Sequence, residues 1–142
     1  MGSDGPRVAV FDCFSGIAGD MTVAALVSAG APLAEISAPL RRLNIPAFEL
    51  AAAAVRRGGI EATLLNVSIS AEETYQPDEM RSKVRGAAFP ARAEQRAIDA
   101  IDALEAGESE AHGTDRPHLH EAGGVDALID ICGSMLALEA LD

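Results

Sequence analysis

Apolar positions recur along this chain with more than one period, and each period predicts a different element. RVAVFD (7–12) is a short apolar run that reads as a buried strand. It is followed by a small-residue turn, CFSGIAG, and by an apolar stretch, DMTVAALVSAG, that reads as a helix stopped at Gly30. Pro32 suits the first turn of a second helix, in which Leu33, Ile36, Leu40 and Leu43 recur at spacings of three, four and three. Pro39 is expected to bend that helix, and Asn44 and Pro46 to close it.

From Phe48 to Ile69 the pattern becomes extended. FELAAAAVRR and IEATLLNVSI flank Gly58-Gly59, which reads as a hairpin turn, although the four-alanine run also suits a helix. SAEETYQPD (70–78) reads as a polar loop ending in a helix-start signal, and MRSKVRG as at most a short basic helix. Pro90 opens the clearest helix, ARAEQRAIDAIDALEAGESEAH, with Ala97, Ile98, Ile101 and Leu104 on one face. Gly107 weakens it without ending it, since an interior glycine costs roughly 1 kcal/mol relative to alanine. GTDRP reads as a loop and HLHE as a short extended piece. Val125 to Leu141 form a second strong helix whose apolar face carries Val125, Leu128, Ile129, Cys132, Leu136 and Ala140. This helix runs on to the end of the sequence with no glycine cap, which suggests that the chain is part of a longer one.

A chain of 142 residues suits one domain. Its apolar residues are mostly Ala, Val, Ile and Leu, a palette for helices on a small sheet. The expected class is α/β, as a two-layer α+β arrangement: a small mixed sheet of about three to four strands covered by helices, with two long helices at the C-terminal end.

Charge narrows the partners. A formal net charge of -11 disfavours nucleic acid and anionic membranes, both of which need clustered Lys and Arg, and favours cations. No apolar run is long enough to span a bilayer and Met1 to Arg7 is too short and polar to open a secretory signal, so a cytoplasmic protein is expected. Cys13 and Cys132 form no CxxC pair, and free thiols are expected over a disulfide between them.

The candidate chemistry lies mainly in RPHLHEAGGVDALID (116–130). His118 and His120 are two apart, so extended backbone points both imidazoles to one face, and imidazole is a good ligand for nickel, zinc and iron. Asp126 and Asp130 are four apart and share a helix face, with Glu121 between the pairs. These acids are equally well placed to complement the positive end of a helix. Glu108 and His112 form another i, i+4 pair, and the chain returns from them to His118 quickly enough for all three histidines to converge. DCFSGIAGD (12–20) opens a helix, where backbone N–H groups can receive a phosphate, but Asp12 and Asp20 favour a cation or a metal-bound ligand. Asp20 also reads as a simple helix N-cap. Ser15 lacks the preceding glycine that a nucleophile elbow requires.

FDCFSGIAGDM, then GESEAHG, then HLHEAGGVDALIDICGSMLALE follow in that order. Together they resemble the N-terminal part of the nickel insertion proteins of the lactate racemase cofactor pathway, the LarC family, whose motifs are close to DPFSGISGDM, AEAxVHG and HFHEVGAVDSIVDIVG. The resemblance implies insertion of nickel into pyridinium-3,5-bisthiocarboxylic acid mononucleotide with consumption of CTP and help from manganese or magnesium, a lyase-type activity that yields the nickel-pincer cofactor. It implies metal ligands among Asp12, Asp20, Glu108, His112, His118, His120, Glu121, Asp126 and Asp130. Ser15, Gly16 and Gly19 fall on the motif expected to meet the nucleotide.

Three departures qualify the resemblance. Cys13 stands where the family usually has proline and is expected to be a small buried residue rather than a thiolate ligand. SAEETYQPDEM lacks the histidines that many members carry after the hairpin. Members are also much longer, and their CTP-binding part lies toward the C-terminus, so this chain is not expected to complete the reaction alone. Its partner would be the C-terminal domain of the same protein or a separate chain, and homo-oligomerisation stays open. Two other readings remain: a non-catalytic metal- or nucleotide-binding module, and a purely structural assembly domain.

Overall fold

The computed structural model describes residues 8–114, 119 and 121–141, with Glu121 described in its backbone only. The elements are α1 (Gly19–Ser28), α2 (Leu33–Leu40), β1 (Phe48–Arg57), β2 (Ile60–Ile69), α3 (Pro77–Gly86), α4 (Ala91–His112), a 3-10 turn at Glu121–Gly123 and α5 (Val125–Leu141). The arrangement is mixed α and β, with the two long helices at the C-terminal end as expected.

Gly58 and Gly59 make the hairpin turn, both in the left-handed region at φ 57° and 84°, which glycine adopts without a Cβ penalty. The antiparallel register runs from Phe48 opposite Ile69 to Arg57 opposite Ile60. Only the base of this ribbon is covered: Phe48 and Leu65 are buried, while Ala51 to Ala54 are exposed. The alanine run is therefore held in a strand by its ladder partners rather than by burial.

The expected mixed sheet of three to four strands is corrected to two antiparallel strands among the described residues. RVAVFD accounts for the lower count, because residues 8–12 lie in no strand or helix of this chain. An apolar run carries β propensity, but a strand exists only where a neighbour accepts its hydrogen bonds, and none of the described residues does. The extended piece HLHE lies mostly outside the described residues.

α5 sits at the centre of the helical layer and packs against α1, α2 and α4, while β2 lies on α1 and α3 on α4. Its buried residues are Val125, Leu128, Ile129, Cys132, Gly133, Ser134, Leu136 and Ala137, a wider face than one amphipathic stripe because three helices cover it. Gly133 permits that crowding. A Cβ there would stand 3.3 Å from Val23 of α1 and within 3.8 Å of Leu40 and Ile36 of α2. Ala93, Ala97, Ile98 and Ile101 of α4 are buried opposite, and Gly107 does not interrupt that helix.

The 70–78 stretch is more structured than a polar loop. The Tyr75 N–H donates to the Gly123 carbonyl at 2.8 Å and the Val125 N–H to the Glu73 carbonyl at 3.2 Å, with Thr74 bridged to Gly124. This short crossing fixes where α5 begins. Tyr75 is buried and its hydroxyl donates to Glu73 at 2.5 Å, with the Lys83 ammonium 4.2 Å above its ring. α3 starts at Pro77, three residues earlier than MRSKVRG suggested, because a capping box satisfies its first turn: the Gln76 N–H donates to Glu79 at 2.8 Å.

Arg81 ties α3 to α4. Its guanidinium donates to Asp102 at 2.7 Å and to Glu105 at 2.8 Å, and back to Asp78 at 2.8 Å. These hydrogen bonds hold the guanidinium charged more firmly than usual. Asp78 and Asp102 are largely exposed, so their contribution is screened. Arg81→Ala is expected to cost about 1 kcal/mol, in the range of networked surface pairs. Urea titration at low and high salt checks this, the loss being smaller at high salt.

Candidate functional site

The first turn of α1 meets the second turn of α5. α1 opens at Gly19 with no side-chain cap from its N-cap residue, Ala18. Its first-turn N–H groups therefore need acceptors from elsewhere. One is supplied by α5: the Asp130 carboxylate accepts from the Asp20 N–H. This contact exists only because residue 19 is glycine. A Cβ on Gly19 would clash with the Cβ and carboxylate of Asp130. Asp20 is the second residue of α1 rather than its N-cap, and its own carboxylate accepts from the Met21 N–H at 2.8 Å.

The result is a concentration of negative charge. Asp130 is partly buried, and Asp20 and Asp126 both act on it. Burial, then the charge of Asp20, then that of Asp126 push its carboxyl up from 3.8 to about 6, against the pull of the Asp20 N–H. Asp126 and Asp130 share one face of α5, as their spacing predicted, and Asp126 remains exposed. A cation placed here would relieve repulsion that the protein alone leaves in place.

Glu108 and His112 form the second predicted pair, with the His112 Nε2 3.3 Å from the Glu108 carboxylate in the last turn of α4. Gly113 then ends the helix in the left-handed conformation at φ 62°. Asp12 is exposed in the extended segment before α1. Ser15 lies in an exposed turn closed by the Gly16 N–H donating to the Cys13 carbonyl at 3.0 Å. His118 and His120 lie outside the described residues, as does the side chain of Glu121. The convergence of the three histidines falls there too. Among the described residues no group of three His, Cys, Asp or Glu side chains could hold an ion.

Cys13 and Cys132 are both free thiols. The expectation that Cys13 is a small buried residue is corrected: it is exposed, because the turn that carries it projects from the core. Cys132 is fully buried among the helices, and burial pushes its thiol up to about 12.

Sequence reasoning placed Asp20 and Asp130 in one set but missed why Gly19 matters, treating it only as part of a nucleotide-facing loop. It also missed the pairing of Glu73–Tyr75 with Gly123–Val125. No local signal marks that pairing, since both partners are short and irregular.

No solved structure matches the chain. It is 37% identical over 139 residues to a provisionally named nickel insertion protein of Roseiflexus castenholzii, covering 96% of this chain and 35% of that protein. A relative of the same provisional name from Geotalea daltonii is 36% identical over 140 residues, covering 95% of this chain and 36% of its own length. One from Picosynechococcus is 32% identical over 160 residues, covering 96% and 39%. This chain thus spans little more than a third of the length of these relatives. The family model described as nickel insertion protein matches residues 9–142, which takes in α1, α5 and the acidic cluster between them. With nearly the whole sequence matched, this chain belongs to the nickel insertion protein family.

Proposed function

We propose that this chain is the N-terminal, metal-handling part of a nickel insertion protein that delivers nickel, as substrate, to pyridinium-3,5-bisthiocarboxylic acid mononucleotide. The observation that carries this reading is the packing of α1 on α5 at Gly19, which sets Asp20 beside Asp130 in a chain of the nickel insertion family; among the described residues these acids do not complete a metal site by themselves. A structural cap alone needs one carboxylate. Asp20 and Asp126 both act on Asp130, which suits a site whose charge is balanced by an incoming cation once further donors join them.

In this reading Asp20, Asp126 and Asp130 supply oxygens, and His118, His120 and Glu121, next to them in sequence, complete the set. Asp12 stands before α1, and Glu108 with His112 offers a second N and O pair for transfer. Mixed imidazole and carboxylate donors bind nickel without the tight hold of a thiolate cage, which suits an ion that must be released. The exposed Cys13 lies in the turn leading to α1.

CTP does not fit the described residues. The 12–20 loop holds no lysine or arginine, and the Asp20 N–H that would face a phosphate is already taken by Asp130. Ser15 and Gly16 are proposed to face the mononucleotide substrate, whereas Gly19 is taken up by its packing against Asp130. CTP and its manganese or magnesium belong, on this proposal, to the part of the relatives that this chain does not span. The whole protein would act as a lyase of lactate racemase maturation in the cytoplasm. Among the described residues no helix is long and apolar enough to cross a membrane.

Calorimetric titration with nickel tests the reading. His118→Ala and His120→Ala are each expected to weaken binding by about tenfold or more, the effect of losing one imidazole donor. Unchanged binding in both, together with a melting temperature that nickel does not move, would instead favour a helix-capping role for the acids.

A further inference from the structure

The segment 8–14 carries the chemistry of a strand without a sheet. Val8 and Val10 are 80% and 86% exposed, and Phe14 is 89% exposed. Phe11, Ile17 and Met21 are exposed as well. Natural chains rarely leave so many large apolar side chains of one stretch in water unless a partner covers them. The backbone of 8–12 is open as well: among the described residues none of its N–H or carbonyl groups is paired with another backbone group.

Val8 to Phe11 form one wall of a groove of about 680 Å³. Ala25 and Ala29 of α1 line it, together with Leu138 and Leu141 of α5 and Arg96 of α4. Val8, the first described residue of the N-terminal stretch, and Leu141, in the last turn of α5, thus face one cleft. The relatives carry nearly two thirds of their length outside the region matched by this chain. A polypeptide continuing from either described end would start beside this groove.

We propose that residues 8–12 form a strand completed by an extended segment from the unspanned part of the nickel insertion protein, seated in the groove between α1 and α5. Pairing would satisfy the open backbone, and the groove would take the alternate side chains of the added strand, as in other cases of strand addition. The same pairing would place Asp12 and the turn before α1 at the boundary between the two parts.

Hydrogen exchange read by mass spectrometry tests this. In this chain alone the amides of 8–12 are expected to exchange as fast as open peptide, while those of α5 stay protected and confirm the fold. In the full-length Roseiflexus castenholzii protein the aligned segment is expected to exchange at least about 100-fold more slowly, as a paired strand does. Fast exchange of that segment in the full-length protein overturns the proposal. So does slow, concentration-dependent exchange in this chain with a dimer in sedimentation, which would make a second copy the partner. The double variant Val8→Asp, Val10→Asp is expected to leave the melting temperature of this chain unchanged. A collapse of its fold would show that the segment belongs to the core, and would overturn the proposal too.

Discussion

Gly19→Val is expected to destabilise the chain by about 3 kcal/mol, the upper end of the usual cost of overpacking. The new Cβ clashes with the Cβ of Asp130 as well as with its carboxylate, so a rotation of the carboxylate alone does not relieve it. Relief requires α1 to move off α5, and that movement strips the Asp20 N–H of its acceptor. A β-branched residue in the first turn adds rotamer restriction to that clash. Urea unfolding gives the stability loss. Nickel titration of the fraction still folded is expected to show weakened binding, because Asp20 and Asp130 no longer meet. A variant as stable as the parent would mean that the two helices do not approach as described.

Asp130→Asn is expected to act in opposite directions on stability and on nickel. The Asp130 carboxyl titrates at about 6 against an ordinary 3.8. Its folded pKa is above the unfolded one, so the folded chain holds the proton more tightly. The stability this gives is complete below the unfolded value and is lost as pH rises through about 6. A shift of this size corresponds to about 3 kcal/mol at full strength, and to about 1–2 kcal/mol for a carboxyl with partial access to solvent. Asparagine removes the charge while its amide oxygen can still accept from the Asp20 N–H. The variant should therefore melt about 2–6 °C higher than the parent at pH 7.5 and nearly level with it at pH 4. On the proposed reading nickel affinity should fall by about tenfold or more, and its rise between pH 5 and 7 should lose the part that comes from displacing the Asp130 proton. A variant no more stable at pH 7.5 would remove the case for stored repulsion.

Such opposing effects are what the proposed transfer site would require. An acid cluster at ease without metal would gain little by binding it, whereas one held together by packing at Gly19 gains when a cation arrives. The stability given up at Asp130 is offset elsewhere, by the buried face that α5 presents to α1, α2 and α4.

Much of this was written in local sequence. The helix periods of 91–112 and 125–141, the Gly58-Gly59 turn and the Asp126 and Asp130 spacing all follow from the geometry of a single element, so short-range pattern fixes them. Three things depend on partners distant in sequence, and no local pattern carries them. RVAVFD has the composition of a strand, yet a strand needs a neighbour, and the described residues provide none. Tyr75 gains structure only where Gly123 offers its carbonyl. Gly19 looks like a loop glycine until α5 arrives with Asp130. Sequence by itself determined which helices form and which acids share a face, because backbone geometry repeats along the chain. Only the tertiary structure decided that a carboxylate from α5 would cap α1 and titrate near pH 6, because that requires two helix turns more than a hundred residues apart to meet without a Cβ between them.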